Sequence, residues 1–332
     1  NYNNSTYGPV SIRKALAGSL NIPAVKMIYL VGVDKVLNFA EKIGYTTFSD
    51  RSRFGLSLVL GGGEVKLLEH TAAFTSLANN GKYSEPKAIL KIINSDNNIL
   101  EEFKSDKYKA DQVFDEQIAY QTTNILSDNS ARAYVFGEQN LLTLPDRPVA
   151  AKTGTTNDYK DGWTMGYTPS IVTGVWVGNS NGNKMTGAAA GGNVAAPIWH
   201  NYMREITKNT PVENFIEPTL KDLPQKPMLN GQIAQDVVIK IDKTTGKLAT
   251  QYTPSSQIEE KKYKEVHNIL HYVNKNNPTG AIPNEPWQDE NYTSWELAVQ
   301  NWAKENGYET NIELPTESDN IHTQENIPEL SI

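Results

Sequence analysis

Residues 148–178 hold three β-prone segments set end to end: Pro148 to Thr156, Gly162 to Tyr167 and Ile171 to Gly178. Only short turns join them, the second being Thr168-Pro169-Ser170. A parallel crossover takes about a dozen residues or more, so the spacing predicts antiparallel neighbours in one sheet. Such a sheet needs cover on a face. Ala195 to Lys208 supplies it, with Ile198, Trp199, Tyr202, Met203 and Ile206 at helical spacing. Helical patterns also fill much of the upstream sequence. The order of helices, sheet and covering helix predicts an α+β fold rather than a doubly wound one.

Near the start, Val10, Ile12, Ala15, Leu16 and Leu20 form an apolar stripe, and Pro9 and Ser11 suit a first turn. Gly18 and Pro23 are expected to end that helix. Ser19-Leu20-Asn21 then falls at its C-terminal end or on the loop beyond, where side chains can face a cleft. Further helices are expected over Val33 to Ile43, Val65 to Asn79 and Val113 to Ala131, with a hairpin between Ala88 and Phe103. Gly61-Gly62-Gly63 lacks the Gly-Lys-Ser/Thr ending of a phosphate loop and reads as a turn. From about Thr210, Pro211, Pro218, Pro224 and Pro227 mark a linker. A second hairpin should pair Val237 to Ile241 with Lys247 to Ala249, followed by a small unit cored by Trp287, Trp295 and Trp302. The division expected is therefore 1–210, 211–313, and an acidic, disordered tail over 314–332.

Charge narrows the function classes. The 332 residues carry 31 basic and 38 acidic side chains, a balance that argues against broad nucleic-acid binding. The absence of cysteine removes disulfides and thiolate chemistry. No apolar run approaches the ~20 residues of a membrane span. The chain opens on Asn1-Tyr2-Asn3-Asn4 without an initiator Met, and is read as lacking its N-terminal part.

The first of the three strands carries the chemistry. Lys152-Thr153-Gly154-Thr155-Thr156 sets a cation, a glycine and three hydroxyls in five residues. Acyl transfer to a serine needs a nucleophile, a base, a proton path, an oxyanion hole and a substrate anchor. Lys152 offers a fixed cation for a carboxylate. Gly154 lets a peptide approach the backbone and align along the edge as an added strand. The Thr155 N–H is a natural oxyanion donor, and alternation puts the Thr153 and Thr155 hydroxyls on one side.

Longer words raise the signal above a tripeptide. Ala15-Leu-Ala-Gly-Ser19-Leu-Asn21-Ile-Pro-Ala-Val25 and Ala151-Lys-Thr-Gly-Thr-Thr-Asn-Asp-Tyr-Lys-Asp-Gly-Trp163-Thr-Met-Gly-Tyr-Thr-Pro169 resemble the transpeptidase domain of class A, bifunctional penicillin-binding proteins. Val172-Thr-Gly-Val-Trp-Val-Gly178-Asn and Ala196-Pro-Ile-Trp199 extend the likeness, which covers roughly residues 5–210. It implies the penicillin-binding/serine β-lactamase-like fold, a five-stranded antiparallel sheet flanked by helices, here partial at the N-terminus and with a small C-terminal extension. It implies a serine D-Ala-D-Ala transpeptidase that cross-links peptidoglycan stem peptides through an acyl-enzyme, and β-lactams as covalent inhibitors. It implies no cofactor and no metal. A glycosyltransferase domain and the membrane attachment would lie upstream, with this part on the extracytoplasmic face of a bacterial membrane. By the same resemblance Ser19 relays a proton to the leaving amine. Asn21 binds the substrate amide and orients Lys152, and Lys152 holds Ser19 and the carboxylate region. Thr153, Gly154, Thr155 and Thr156 line the substrate strand.

The motif set of this family is Ser-x-x-Lys, Ser-x-Asn and Lys-Thr-Gly. The sequence offers the second and third. Ser-x-x-Lys occurs as Ser11-Ile-Arg-Lys14 and Ser84-Glu-Pro-Lys87. In a helix Ser11 would stand about 12 Å from Ser19 along the axis, and Pro86 spoils the helical turn at the second site. Neither is taken as the nucleophile, and the fragment alone is expected to be inactive. Two other readings stay open: a D,D-carboxypeptidase or β-lactamase relative, and a non-catalytic wall-binding or penicillin-sensing module. His267 and His271 have the i, i+4 spacing of metal ligands but no supporting Glu or Cys, and are read as packing or surface groups. His70 and His200 are read as structural.

Overall fold

The chain alternates small and bulky residues through 150–178, and the computed structural model shows what that alternation builds. It describes residues 5–104, 110–187, 189–219, 226, 230–231, 235–308 and 315–326. Two units are present, one of Asn1–Ser5 with Ile12–Asp222 and one of Thr6–Ser11 with Leu223–Ile332.

The first unit opens with helices α1 (Ile12–Ala17), α2 (Asn21–Val31) and α3 (Val33–Lys42), then α4 (Leu67–Ala78). Strand β1 (Lys82–Tyr83) later pairs with β4 (Asp111–Gln112), and β2 (Lys91–Ile93) with β3 (Ile99–Glu102) as the expected hairpin. Helices α5 (Glu116–Ser127) and α6 (Asn129–Phe136) lead to the central strands β5 (Ala150–Thr155), β6 (Asp161–Tyr167) and β7 (Val172–Gly178). Helices α7 (Gly191–Val194) and α8 (Ala196–Thr207) complete the unit.

The central sheet runs β5-β6-β7 and is antiparallel throughout, as the short connections require. Along β5 successive residues serve opposite faces. Ala150 joins Leu126 and Tyr167 in a core completed by Phe74 and Leu77. Ala151 faces the other way, toward Leu142, Leu144, Val149, Trp199 and Met203. The sheet is thus covered by α4 and α5 on one side and by α8 on the other. Trp199 is fully buried and lies so close to β6 that a Cβ on Gly166 would meet its indole at 2.3 Å. Tyr167 anchors the opposite layer through its hydroxyl, 2.8 Å from Thr123 Oγ1.

Several expectations change. The sheet has three strands among the described residues, not five, since no other described segment joins β5 or β7. The helix expected over Val113 to Ala131 is two helices, because the Asp128 carboxylate accepts from Ala131 N and starts α6 afresh. Pro23 does not stop a helix but sits in the first turn of α2, where its missing N–H costs nothing.

The second unit pairs β8 (Gln235–Asp242) with β9 (Ile258–Glu265) in one antiparallel ladder. The expected partner, Lys247 to Ala249, pairs briefly with the end of β8, through a bridge from Leu248 to Ile241, an Asp242 N–H bond to Lys247 O and an Ala249 N–H bond to Lys240 O. The turn after Asp242 is too tight for a longer ladder, with Gly246 at φ +70° and its N–H on Asp242 O. Helices α9 (Ile269–Tyr272) and α10 (Tyr292–Glu305) follow. The buried side chains here are Val266, Leu270, Tyr272, Val273 and Ala303, whereas Trp287 is 61% exposed. Trp287 therefore lies outside this core, while Trp295 and Trp302 are half-buried. Residues 315–326, within the tail expected to be disordered, are held by Asp319 N on Leu248 O and by the Thr253 hydroxyl on the Asp319 carboxylate. Pro224, Pro227 and residues 314 and 327–332 lie outside the described residues. No described helix is long and apolar enough to cross a membrane.

Candidate active site

Ser19 occupies the junction of α1 and α2. Gly18 N reaches Lys14 O and Leu20 N reaches Ala15 O, which ends α1 with Ser19 between them at φ +55°. That left-handed conformation costs a non-glycine residue about 1–2 kcal/mol. The surroundings hold it: Leu20 is buried, and a Cβ on Gly18 would strike the Tyr134 hydroxyl at 2.0 Å. Tyr134 donates to Lys14 O, and Arg13 binds Asp128 at 2.9 Å and Asn124 at 2.6 Å. The turn is thereby fixed to α5 and α6, and the Ser19 side chain is left exposed.

Lys152 meets it from β5. Its ammonium donates to Ser19 Oγ at 2.7 Å and to Thr153 O at 2.7 Å. Sequence motifs more than a hundred residues apart are thus joined by one charge-assisted hydrogen bond. Burial pulls the Lys152 ammonium down to about 8, and the positive charge of Arg132 adds to the shift. Arg132 is itself 1% exposed, on α6 behind the strand. It donates to Ala151 O at 3.2 Å and to Leu126 O, and burial lowers it to about 10. A lone arginine in an apolar helix gives no sign of this role in the sequence.

The remaining residues of the motif divide their work. Thr155 Oγ1 accepts from Gly191 N at 2.9 Å. Gly191, at the start of α7, lies so close to β5 that an added Cβ would sit 2.3 Å from Gly154 O and 2.5 Å from Trp163 O. It is a second position missed in the sequence, although the Gly191-Gly192 pair before a helix was a signal for it. Gly154 itself has room on one side only, since its Cβ would meet Trp163 Cβ at 3.2 Å. The Thr156 hydroxyl is engaged within the strand end: it donates to Asp161 Oδ2 at 2.8 Å and accepts from Asp161 N at 3.0 Å. Asp161 Oδ1 takes the Trp176 Nε1 hydrogen at 2.9 Å, so this aspartate ties the strand end to β7. Asn21 begins α2 and is half-buried, and its amide makes no hydrogen bond to another described side chain. The described hydrogen bonds of Lys152 are those to Ser19 and the Thr153 carbonyl.

The other candidates stand apart from this site. Lys87 pairs with Glu85 at 2.6 Å in extended chain, not with a helical Ser84. His70 lies on α4 with its Nδ1 2.5 Å from the Tyr45 hydroxyl, and burial lowers it to about 4, keeping it neutral. His267 and His271 stack face to face, ring centroids 3.7 Å apart, with His267 Nδ1 2.7 Å from Glu296.

Comparison with known proteins agrees with this geometry. The family model for the penicillin binding protein transpeptidase domain matches residues 1–204, and the chain belongs to that family. Among curated relatives it is similar to penicillin-binding protein 1A of Aquifex aeolicus, 36% identical over 218 residues that cover 66% of this chain and 28% of that protein. Penicillin-binding protein 1A of Pseudomonas aeruginosa is 26% identical over 337 residues, 87% of this chain and 38% of that one. The chain therefore spans well under half the length of these relatives. Among solved structures, the penicillin-binding protein PonA1 from Mycobacterium tuberculosis superposes with a TM-score of 0.58 at 26% identity, covering 66% of this chain and 62% of that one. The same match is found for PonA1 in complex with penicillin V. Penicillin-binding protein 1A from Haemophilus influenzae shares the fold, with a TM-score of 0.57 at 24% identity over 78% of this chain and 41% of that one.

Proposed function

We propose that this chain supplies two walls of a serine D,D-transpeptidase site, in a bifunctional peptidoglycan synthase whose glycosyltransferase part lies elsewhere in the protein. The observation that carries the reading is the 2.7 Å bond from Lys152 Nζ to Ser19 Oγ, which joins the Ser-x-Asn and Lys-Thr-Gly elements. A third wall, with the attacking serine of a Ser-x-x-Lys helix, comes from outside these residues.

In this reading a stem peptide ending in D-Ala-D-Ala aligns along β5. Gly191 N–H occupies an acceptor lobe of Thr155, so the Thr155 hydroxyl proton is left to donate to the terminal carboxylate, with Thr153 beside it. The Thr155 N–H stabilises the oxyanion as the serine adds to the carbonyl. The C–N bond then breaks. The departing D-Ala amine takes a proton through Ser19, whose hydroxyl is in turn hydrogen-bonded to Lys152. An ammonium near pKa 8 has a small neutral fraction at neutral pH, which suits it to pass a proton as well as to attract a carboxylate. An acceptor amine on a neighbouring stem peptide attacks the acyl-enzyme to complete the cross-link. Asn21, with its amide uncommitted, holds the substrate amide. β-Lactams acylate the same serine, and the domain works on the extracytoplasmic side of the membrane.

The test is covalent labelling of the full-length protein with a fluorescent penicillin. Lys152→Ala is expected to slow labelling on the order of 100-fold, as loss of a charged donor does elsewhere. Equal labelling of parent and variant counts against the assigned cleft. The 332-residue chain by itself is expected to remain unlabelled.

A further inference from the structure

The second unit brings two buried carboxylates and an imidazole to one point. Asp242 ends β8, and Asp319 and His322 lie in the segment that follows α10 in the sequence. One oxygen of each carboxylate is fixed by backbone. Asp242 Oδ1 accepts from Thr244 N at 2.5 Å and Thr245 N at 3.1 Å, and Asp319 Oδ1 from Ile321 N at 2.9 Å and His322 N at 3.4 Å. The other oxygens point inward at the same ring nitrogen. His322 Nδ1 is 2.6 Å from Asp242 Oδ2 and 2.7 Å from Asp319 Oδ2, and Thr253 also donates to Asp319 Oδ2 at 2.8 Å.

Both aspartate side chains are 0% exposed, against 22% for His322. One nitrogen carries at most one hydrogen, and two carboxylate oxygens face it. Asp242 Oδ2, fully buried, has that one ring nitrogen as its sole close polar neighbour among the described residues, and shares its hydrogen with Asp319. Burying an unpaired carboxylate oxygen is costly, and buried charges are ordinarily paired or bound to metal.

We propose that Asp242, Asp319 and His322 form a divalent-cation site for a first-row transition ion of the zinc or manganese class. The three donor atoms lie within 4.8 Å of one another, and among the described residues this is the one such group of three. A divalent cation with a neutral imidazole balances two carboxylates, which a single shared proton does not. The imidazole donor favours zinc over magnesium and calcium, which prefer oxygen alone, and the two carboxylates also suit manganese. Backbone N–H groups on the outer oxygens are the supporting contacts that orient metal-bound carboxylates. Donors around a tetrahedral zinc lie roughly 3.3 Å apart for bonds of ~2.0–2.1 Å, so the ring nitrogen must part from each oxygen by about 0.6–0.7 Å. The ring of His322, on the open side, can make that shift. Three protein ligands leave one position for water. The ion would fasten residues 315–326 to the turn after β8.

The experiment uses the full chain, stripped of metal, incubated with zinc chloride or manganese chloride and dialysed. Metal content is measured by mass spectrometry and thermal unfolding by calorimetry. One retained ion per chain with a raised unfolding temperature, both lost in His322→Ala and Asp319→Asn and both kept in His267→Ala, is the expected result. Absorption spectroscopy at the zinc edge should then show one imidazole, absent from His322→Ala. The proposal is overturned if neither ion is retained. It is equally overturned if His322→Ala holds as much metal as the parent, or if His267→Ala is the variant that loses it.

Discussion

Lys152 is a cation in surroundings that favour its neutral form. Its folded value of about 8 lies below the ordinary 10.5, chiefly through burial and then through Arg132. Between these two values the unfolded chain binds a proton that the folded chain has released, so stability rises with pH across that window. Below about pH 8 both states hold the proton and the slope vanishes. Lys152→Met has no such group. The stability of the parent relative to Lys152→Met should therefore climb from about pH 8 to about 10.5, read from urea unfolding at several pH values. A difference that stays flat or falls would show that the ammonium is well solvated.

At the scale of elements, the junction of α1 and α2 sets the geometry of the site. Ser19→Gly removes the hydroxyl that Lys152 holds but relieves the φ +55° backbone. The lost hydrogen bond and the relieved strain are each worth roughly 1–2 kcal/mol and oppose each other. Unfolding temperature should change by only a few degrees, while penicillin labelling of the full-length protein falls at least about tenfold. An unfolding temperature lowered by far more would mean that Ser19 is structural. Much of this element was readable beforehand. The Ser-x-Asn and Lys-Thr-Gly words, the three strands and α8 follow from spacing and turn residues. What the sequence concealed was long-range. Arg132 and Gly191 act by lying behind and beside β5, a relation made only by packing. The main partner of β8 was hidden for a similar reason: nearness along the chain pointed to Lys247 to Ala249, which pairs with 240–242 only briefly, whereas the long ladder runs to residues 258–265. The bonds of Thr156 to Asp161 were equally hidden, because a hydroxyl in a motif carries no mark of being used in a turn.

At the scale of the molecule, each unit has its own buried side chains: Trp199, Met203 and Tyr167 in the first, Leu270, Tyr272 and Ala303 in the second. Separate cores predict separable unfolding. Trp199→Ala should cost about 3–5 kcal/mol and lower only the transition of the first unit, and Leu270→Ala about 2–5 kcal/mol in the second alone. Differential scanning calorimetry distinguishes this from one shared transition that both variants lower.

Strand β5 has a neighbour on one side only among the described residues. An open strand edge is a hazard as well as an opportunity, since any other chain with a free edge can zip onto it. Two copies meeting edge to edge would bring their Lys152 ammonium groups into one narrow seam, with Arg132 behind each. Like charges pressed out of water repel strongly. A buried lysine on this strand thus turns away a second copy of the same strand, and a variant with a neutral residue there should self-associate more readily than the parent.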